Sequence, residues 1–500
     1  MVNVVNRSMY PVQTGMNLIS KMQDRFAQLQ VQLATGQKAT NLAEMGTDRF
    51  VTLSMQSRIS RIEGYQNSID MVNMRLSVFD QVIGRLDKVE SNARAAISPS
   101  AYGSSNVNFG TAPSLARSQL DEMINLLNTE VDGRYLFAGG SVDKRPVETI
   151  GALLDGANGK DGYIQVAAER LAADKGTGLG RLNLAVATDT VTLTEDGAHP
   201  FGFKLSTLSS TGTGLTLTQP TGAAADSLSI EVSAQPFEGD TVTINLTLPD
   251  GTEASLKLTA VTGTPAAGQY QIGATVDQTA ANLSGALQTR LTEMANTDLT
   301  VASNYAAADN FFNAQGDPVL RVQGPTFASA TALVTADPTT TVMWYKGQDS
   351  ANARTTVTAK IDDAATVNYG AQANESGPLA LIRSLAVVAT QSFTNADGTS
   401  QGRFDAVATR NYSRLSEEHN NESGSIEMLA VELGNAQVNV EGVASRQSNY
   451  KAQLEGMVED ISSVPKEEVA MEMLALQTRL QASYQATSLI ASLSLVNYLK

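Results

Sequence analysis

The stretch from Ile426 to Ile461 constrains the fold of this chain more than any other. Residues on an apolar seam recur in it at alternating steps of three and four, and Gln447 is the one clearly polar member. The series is Ile426, Leu429, Leu433, Ala436, Val440, Val443, Gln447, Tyr450, Leu454, Met457 and Ile461. This step is typical of a helix whose seam packs along another helix, as in a coiled coil. Such a helix is about 54 Å long at roughly 1.5 Å per residue, so it needs a long partner.

A matching seam lies near the N-terminus. The same step runs through Ile62, Tyr65, Ile69, Val72, Leu76, Phe79, Ile83 and Leu86. Two long helices of this kind bury their seams against each other or against neighbouring copies. We therefore predict a long antiparallel helical rod of the coiled-coil type. Its seam residues are Ile62, Ile69, Leu76, Ile83, Ile426, Leu433, Val440, Tyr450 and Leu454.

Each end of the chain carries a further helix with an apolar stripe. The spacing predicts a first helix over 14–34 and a last helix over 466–498. After Leu480 the last helix has no charged residue until Lys500. It either packs on its own rod or makes contacts on more than one side, and we favour assembly with other subunits. The predicted assembly residues are Leu18, Met22, Phe26, Leu29, Leu33, Val469, Met473, Leu476, Leu480, Thr487, Ile490, Leu493, Val496 and Leu499.

The composition changes between these helical parts, from about Ser141. Between Arg181 and Thr340 there are five basic residues against fifteen acidic ones, and Thr is common. Strict alternation of apolar and polar residues on both sides of Asp250-Gly251 predicts a β-hairpin. We expect a mostly α-helical chain with a β-rich α+β insert of one or two subdomains. One continuous helix is expected from near Phe404 to the break at Pro465.

The composition also excludes several functions. A chain of 500 residues is too long for a single core. Its net charge of −16 and lack of a basic cluster argue against nucleic acid as a partner. There is no cysteine, which excludes a disulfide framework, a thiolate nucleophile and a cysteine-based zinc site. Met1 to Ser20 lacks the apolar core of a cleaved secretory signal. The best candidate for a membrane span, Leu480 to Leu499, contains too many polar residues.

No constellation for catalysis or cofactor binding emerges. His199 and His419 are the only histidines, so a metal site with three converging ligands is not expected. The glycines 176, 178 and 180 lack the spacing of a dinucleotide-binding turn, and Asp155 to Asp161 lacks the ligand positions of a calcium loop. We expect a protein that is not an enzyme and that uses no cofactor and no metal.

Three segments resemble the bacterial flagellin family. They are 29–36 (LQVQLATG), 133–140 (GRYLFAGG) and 480–499 (LQASYQATSLIASLSLVNYL). GRYLFAGG, with the stretch from Trp344 to Arg383, is similar to the branch that joins hook to filament. The likeness covers roughly residues 1–145 and 345–500.

The resemblance implies a domain plan and a set of partners. It implies helical parts of an inner-tube domain at 1–46 and 465–500, halves of a rod domain at 47–145 and 346–464, and a variable outer insert at 146–345. It implies assembly with copies of itself, with flagellin and with another hook-associated protein. It also implies a flagellar export chaperone, type III export without signal cleavage, and an extracellular location in the flagellum. Filament flagellin, and a secreted adhesin or enzyme on a helical stalk, stay open as alternatives.

Overall fold

The protein combines long helices with a β-rich insert, which confirms the mostly α-helical class with a β-rich insert expected from the sequence. The computed structural model describes residues 10–41, 43–97, 110–313, 316, 318–393 and 398–498. Among these residues, no helix is long and apolar enough to cross a membrane.

The helices are, in chain order, α1 (Tyr10–Thr35), α2 (Asp48–Ala96), α3 (Ala112–Leu127), α4 (Ile150–Asp155), α5 (Tyr163–Lys175), α6 (Val276–Asn296), α7 (Asp298–Phe311), α8 (Ser376–Ala389), α9 (Gly398–Arg414), α10 (Ile426–Ser462) and α11 (Lys466–Tyr498). Short 3-10 turns cover Phe327–Ser329, Ala353–Thr356 and Glu417–Asn421.

The strands are β1 (Glu130–Val131), β2 (Arg134–Tyr135), β3 (Leu182–Ala187), β4 (Thr190–Glu195), β5 (Lys204–Ser210), β6 (Leu215–Thr218), β7 (Ser227–Val232), β8 (Thr241–Thr247), β9 (Glu253–Val261), β10 (Gln269–Gln271), β11 (Leu320–Gln323), β12 (Ala332–Thr335), β13 (Thr358–Lys360) and β14 (Thr366–Asn368). The two larger sheets have the strand orders β3-β4-β7-β6 and β10-β9-β8-β5. All their pairings are antiparallel except that of β9 with β10.

The chain divides into two compact units. One comprises Met1–Val72, Lys360–Thr366 and Asn439–Lys500, and the other Asn73–Ala359 and Val367–Val438. We refer to them as the terminal unit and the central unit. Their boundaries fall inside α2 and α10, and the coiled-coil rod and the five-part domain plan stay predictions.

The central unit contains the insert, whose two larger sheets share one core with α6 and α7. Alternate residues of β4, β7, β8 and β9 point into this core, together with Leu283, Leu287 and Leu299. The predicted hairpin is confirmed: β8 and β9 pair from Thr241↔Thr259 to Thr247↔Glu253 around Asp250-Gly251. Gly251 has a φ of +79°, a conformation that side chains rarely adopt but that this turn requires.

The continuous helix expected from Phe404 to Pro465 is wrong. α9 ends at Arg414, a 3-10 turn follows, and α10 begins at Ile426. The Ser416 side chain accepts a hydrogen bond from the Glu418 N–H, and Gly424 has a φ of +82°. A polar run with its own side-chain caps competes with the helix, so the chain breaks there.

Candidate assembly surface of the terminal helices

In the terminal unit, α1 and α11 pack side by side and run antiparallel. Their shared seam buries Ile19, Leu29, Val469, Leu476 and Leu480. Met22, Phe26, Leu33, Val464 and Met473 close it from the sides. The apolar residues from Ile19 to Leu33, which are spaced by three and four, face those from Val469 to Leu480, as two paired helices require. The two extremities of the chain therefore meet as helices.

Polar contacts hold the antiparallel register. The Arg25 guanidinium donates hydrogen bonds to both carboxylate oxygens of Glu472, at 2.9 and 3.2 Å. The Gln23 Nε2 donates to the Tyr484 hydroxyl at 2.5 Å. Both partners of the ion pair are nearly half exposed, so this pair contributes at most about 1 kcal/mol. The apolar seam therefore supplies most of the stability of the pairing.

Backbone hydrogen bonds join the C-terminal end of α1 to the segment between α10 and α11. The Val464 N–H donates to the Gly36 carbonyl at 3.0 Å, and the Lys38 N–H to the Ser462 carbonyl at 2.6 Å. Gly36 follows the end of α1 with a φ of +73°, a left-handed conformation that suits glycine. Lys38 also pairs with Asp48 at 2.7 Å, which lowers the pKa of that carboxyl. These contacts fix the corner between the terminal helices and the long ones.

Large apolar side chains remain exposed on the outside of this helix pair. Met471 and Leu474 are exposed by 66% and 61%, although they lie within a turn of the buried seam. We call the exposed set the outer apolar surface: Met16, Leu18, Val31, Met471, Leu474, Tyr484, Leu489 and Ile490. Single exposed apolar residues are ordinary, and here eight of them are spaced along the two helices.

The predicted assembly residues divide between the seam and this surface. Leu29, Val469, Leu476 and Leu480 are buried in the seam; Met22, Phe26, Leu33 and Met473 are partly buried beside it. Thr487 is also partly buried and lies against Gly15, whereas Leu18 and Ile490 are exposed. Leu499 lies outside the described residues, as do the side chains of Leu493 and Val496. The sequence did not single out Ile19, which takes the seam position that was assigned to Leu18.

The predicted rod residues are buried with one exception. Ile62, Ile69, Val440 and Leu454 are buried in the terminal unit, and Leu76, Ile83, Ile426 and Leu433 in the central unit. Tyr450 is 40% exposed, and its hydroxyl accepts a hydrogen bond from Arg58 at 2.9 Å. Lys451 also pairs with Glu63 at 2.9 Å, so α2 and α10 are neighbours within the terminal unit.

The two histidines lie in different surroundings. Among the described residues, no three potential ligands converge to hold a metal ion. His419 is exposed and hydrogen-bonded to Glu422 at 2.7 Å, which raises the pKa of the imidazole. His199 is buried, and its Nε2 lies 2.6 Å from Asp196, which also pairs with Arg181 at 2.7 Å.

The buried cluster at His199 was not foreseen from the sequence. Arg181 has a φ of +66°, next to the glycines 176, 178 and 180, all of which also have positive φ. Its guanidinium donates to the Ala328 carbonyl at 2.8 Å. The glycine run thus shapes a turn that seats a buried arginine in the insert. The glycine cluster is visible in the sequence, but the residues that contact the turn are not.

Compared with known proteins, the chain matches no family model and no curated protein sequence.

Proposed function

We propose that this chain is a structural subunit of the bacterial flagellum that assembles through its paired terminal helices. The observation that carries the proposal is the outer apolar surface, which stays exposed although α1 and α11 have already buried a seam against each other. Burying apolar surface contributes roughly 25 cal/mol per Å², so further copies packing on these helices would be stabilised. The uncharged stretch after Leu480 suits such an environment.

Within the flagellum, we propose the junction between hook and filament, the place of the third hook-associated protein. The segments of closest resemblance support this because they contact each other in the central unit. The Ala373 N–H donates to the Phe137 carbonyl at 3.0 Å, and the Gly139 N–H to the Ala371 carbonyl at 2.9 Å. Gln348, just after Trp344 to Gly347, donates its N–H to the Ala138 carbonyl at 2.9 Å. The GRYLFAGG segment and two parts of the stretch from Trp344 to Arg383 thus form one hydrogen-bonded module.

The same proposal names the partners and the location. Neighbouring copies would cover the outer apolar surface, and flagellin and another hook-associated protein would adjoin the ring of copies. An export chaperone would shield the uncharged helix before export to the cell exterior. The protein is then neither an enzyme nor a nucleic-acid binder.

The test is incorporation of an Ile490→Asp variant. Ile490 is 43% exposed on α11, and Ile164 is 41% exposed on α5 of the insert, so Ile164→Asp is a matched control. We expect Ile490→Asp to leave the circular dichroism spectrum unchanged and to abolish incorporation into sheared flagella. Ile164→Asp should incorporate normally.

Imaging of an epitope-tagged parent chain decides the location. A single band where hook meets filament is the expected result. Label along the whole filament would instead identify filament flagellin, and label elsewhere on the cell would favour an adhesin or enzyme on a stalk. Normal incorporation of Ile490→Asp would refute the proposed role of the terminal helices in assembly.

A further inference from the structure

The terminal unit contains a groove with an unusual surplus of arginine. It has a volume of about 690 Å³ and lies between α2, α10 and the turn at 360–366. We call it the arginine groove, and its principal residues are Arg58, Arg61, Arg446, Tyr65, Tyr450 and Gln447. Asp362 and Asp363 also line the groove, so three guanidinium groups stand against two carboxylates in a chain whose net charge is −16.

Within the residues that the structure describes, only Arg61 of the three arginines has a carboxylate partner. Arg61 lies 3.3 Å from Asp363, which also accepts a hydrogen bond from the Tyr65 hydroxyl at 2.8 Å. That hydrogen bond, with Arg61, holds the pKa of Asp363 below its usual value, so this carboxylate stays charged. Among the described residues, Arg58 donates a side-chain hydrogen bond to the Tyr450 hydroxyl and to no carboxylate. Arg446 has no ion pair within the described part of the chain.

The floor of the groove is polar as well. Gln447 is buried, and its Oε1 has no hydrogen-bond partner among the described residues. Arg58 and Arg446, which have no carboxylate partner among the described residues, favour a ligand that carries carboxylates. The Gln447 Oε1 is an acceptor, so it suits a donor such as a peptide N–H. An apolar ligand would leave these groups unsatisfied.

The same unit displays a group of carboxylates without basic partners. Glu459, Asp460, Glu467 and Glu468 are exposed where α10 ends and α11 begins, and none forms an ion pair within the described residues. We call this group the acidic corner. Glu459 and Arg446 belong to the same helix, thirteen residues apart. At 1.5 Å per residue that separation is about 20 Å, so a rigid helix keeps the corner away from its own groove.

We propose that the arginine groove of one copy binds the acidic corner of a second copy. The proposal rests on the proposed function, since it names a contact through which copies of this chain would join. Groove and corner are different surfaces, so the contact is head-to-tail and can repeat along a ring or a helix. Copies with a large net negative charge repel one another, and a complementary contact both offsets that repulsion and sets the register.

A peptide binding experiment tests the contact without any assembly. A fluorescent peptide of residues 457–470 is titrated into the full chain at low and high salt. We expect binding that weakens with salt and falls at least about tenfold for Arg58→Glu/Arg446→Glu. Lys88→Glu/Lys144→Glu changes the net charge equally at exposed positions outside the groove and should bind like the parent.

A second peptide with the four carboxylates replaced by their amides is the matched ligand. Absence of binding by the native peptide, equal binding by the amide peptide, or unchanged binding by Arg58→Glu/Arg446→Glu would each overturn the proposal. Circular dichroism of each variant verifies that a loss of binding is not a loss of folding.

A charge exchange on the full chain separates this proposal from the proposed function. Arg58→Glu/Arg446→Glu and Glu467→Arg/Glu468→Arg should each assemble poorly alone and assemble together when mixed, because the new arginines of one variant then face the new glutamates of the other. Normal assembly of each variant alone refutes the groove contact and leaves the role of the terminal helices intact. Peptide binding without incorporation of the parent chain into flagella would instead support the groove contact and refute the proposed function.

Discussion

Glu90 is a buried carboxylate whose ionisation should destabilise the central unit. It lies on α2 with its side chain only 9% exposed, beside a cavity of about 280 Å³. Arg94, its sole ion-pair partner among the described residues, is 4.0 Å away, beyond hydrogen-bonding distance. Burial, then the nearby Glu427, raises the pKa of Glu90 to about 7. Asp87 and Glu417 add to the rise, and Arg94 opposes it.

The sign of the effect follows from the two states. A raised pKa in the folded state means that folding binds a proton between the ordinary value of 4.5 and about 7. Stability from Glu90 is therefore complete below pH 4.5 and is lost as the pH rises through 7. The difference between these values corresponds to about 3 kcal/mol, and residual solvent contact reduces the expected effect to about 1.5–3 kcal/mol.

The perturbation is Glu90→Gln, which keeps the shape of the protonated side chain. We expect it to stabilise the central unit by about 1.5–3 kcal/mol at pH 8 and by less than about 1 kcal/mol at pH 5. The assay is chemical denaturation followed by fluorescence of Trp344, which is the only tryptophan and is buried in the central unit.

The control is Glu418→Gln, at an exposed position in the neighbouring 3-10 turn. It should change the unfolding free energy by no more than about 0.5 kcal/mol at either pH. A gain for Glu90→Gln of the same size at pH 5 and pH 8, or a loss at pH 8, would show that the carboxylate is not the cause.

Two further predictions concern buried contacts. Asp250→Asn should destabilise the central unit by about 3–5 kcal/mol, because Arg410 would remain buried without its partner at 2.6 Å. Burial raises the pKa of Asp250, but Arg410 and Thr252 overcome this and hold the pKa low. Acid should therefore reduce the stability of the parent more than that of the variant. Identical Trp344 denaturation curves would contradict this. Leu29→Ala removes a fully buried side chain from the terminal seam and should cost about 2–5 kcal/mol of local stability. Amide exchange along 469–480 should accelerate in that variant and not in the exposed control Val31→Ala; equal rates in both would refute the seam.

The sequence predicted the parts of the fold that depend on periodicity. Steps of three and four located α1, α2, α10 and α11, and strict alternation located the β8–β9 hairpin. Leu18 and Ile19 show the limit of that method. Both are apolar neighbours, so the pattern alone does not decide which one faces α11, and packing selected Ile19.

Elements buried on all sides escaped prediction for a physical reason. α7 is rich in alanine and buries residues around most of its circumference, so it lacks the polar face that marks an amphipathic helix. Buried ion pairs were also out of reach, because they join distant parts of the chain. Arg321 pairs with Glu169 and with Asp161, which lie more than 150 residues before it. The charged residues were visible in the sequence, but their partners depended on the tertiary fold.

The contrast between the insert and the terminal helices bears on where assembly originates. The core shared by the two larger sheets is complete, since Ile230, Ile244 and Leu256 have no exposed surface. The α1–α11 seam is completed only along its centre, and Met471, Leu474 and Leu489 stay more than half exposed beside it. The insert also exposes apolar residues such as Phe237, but its core is closed without them. A helix pair with exposed apolar residues along both helices gains in proportion to the area that it buries. The drive to assemble should therefore reside in the terminal unit, with the arginine groove and the acidic corner setting the register.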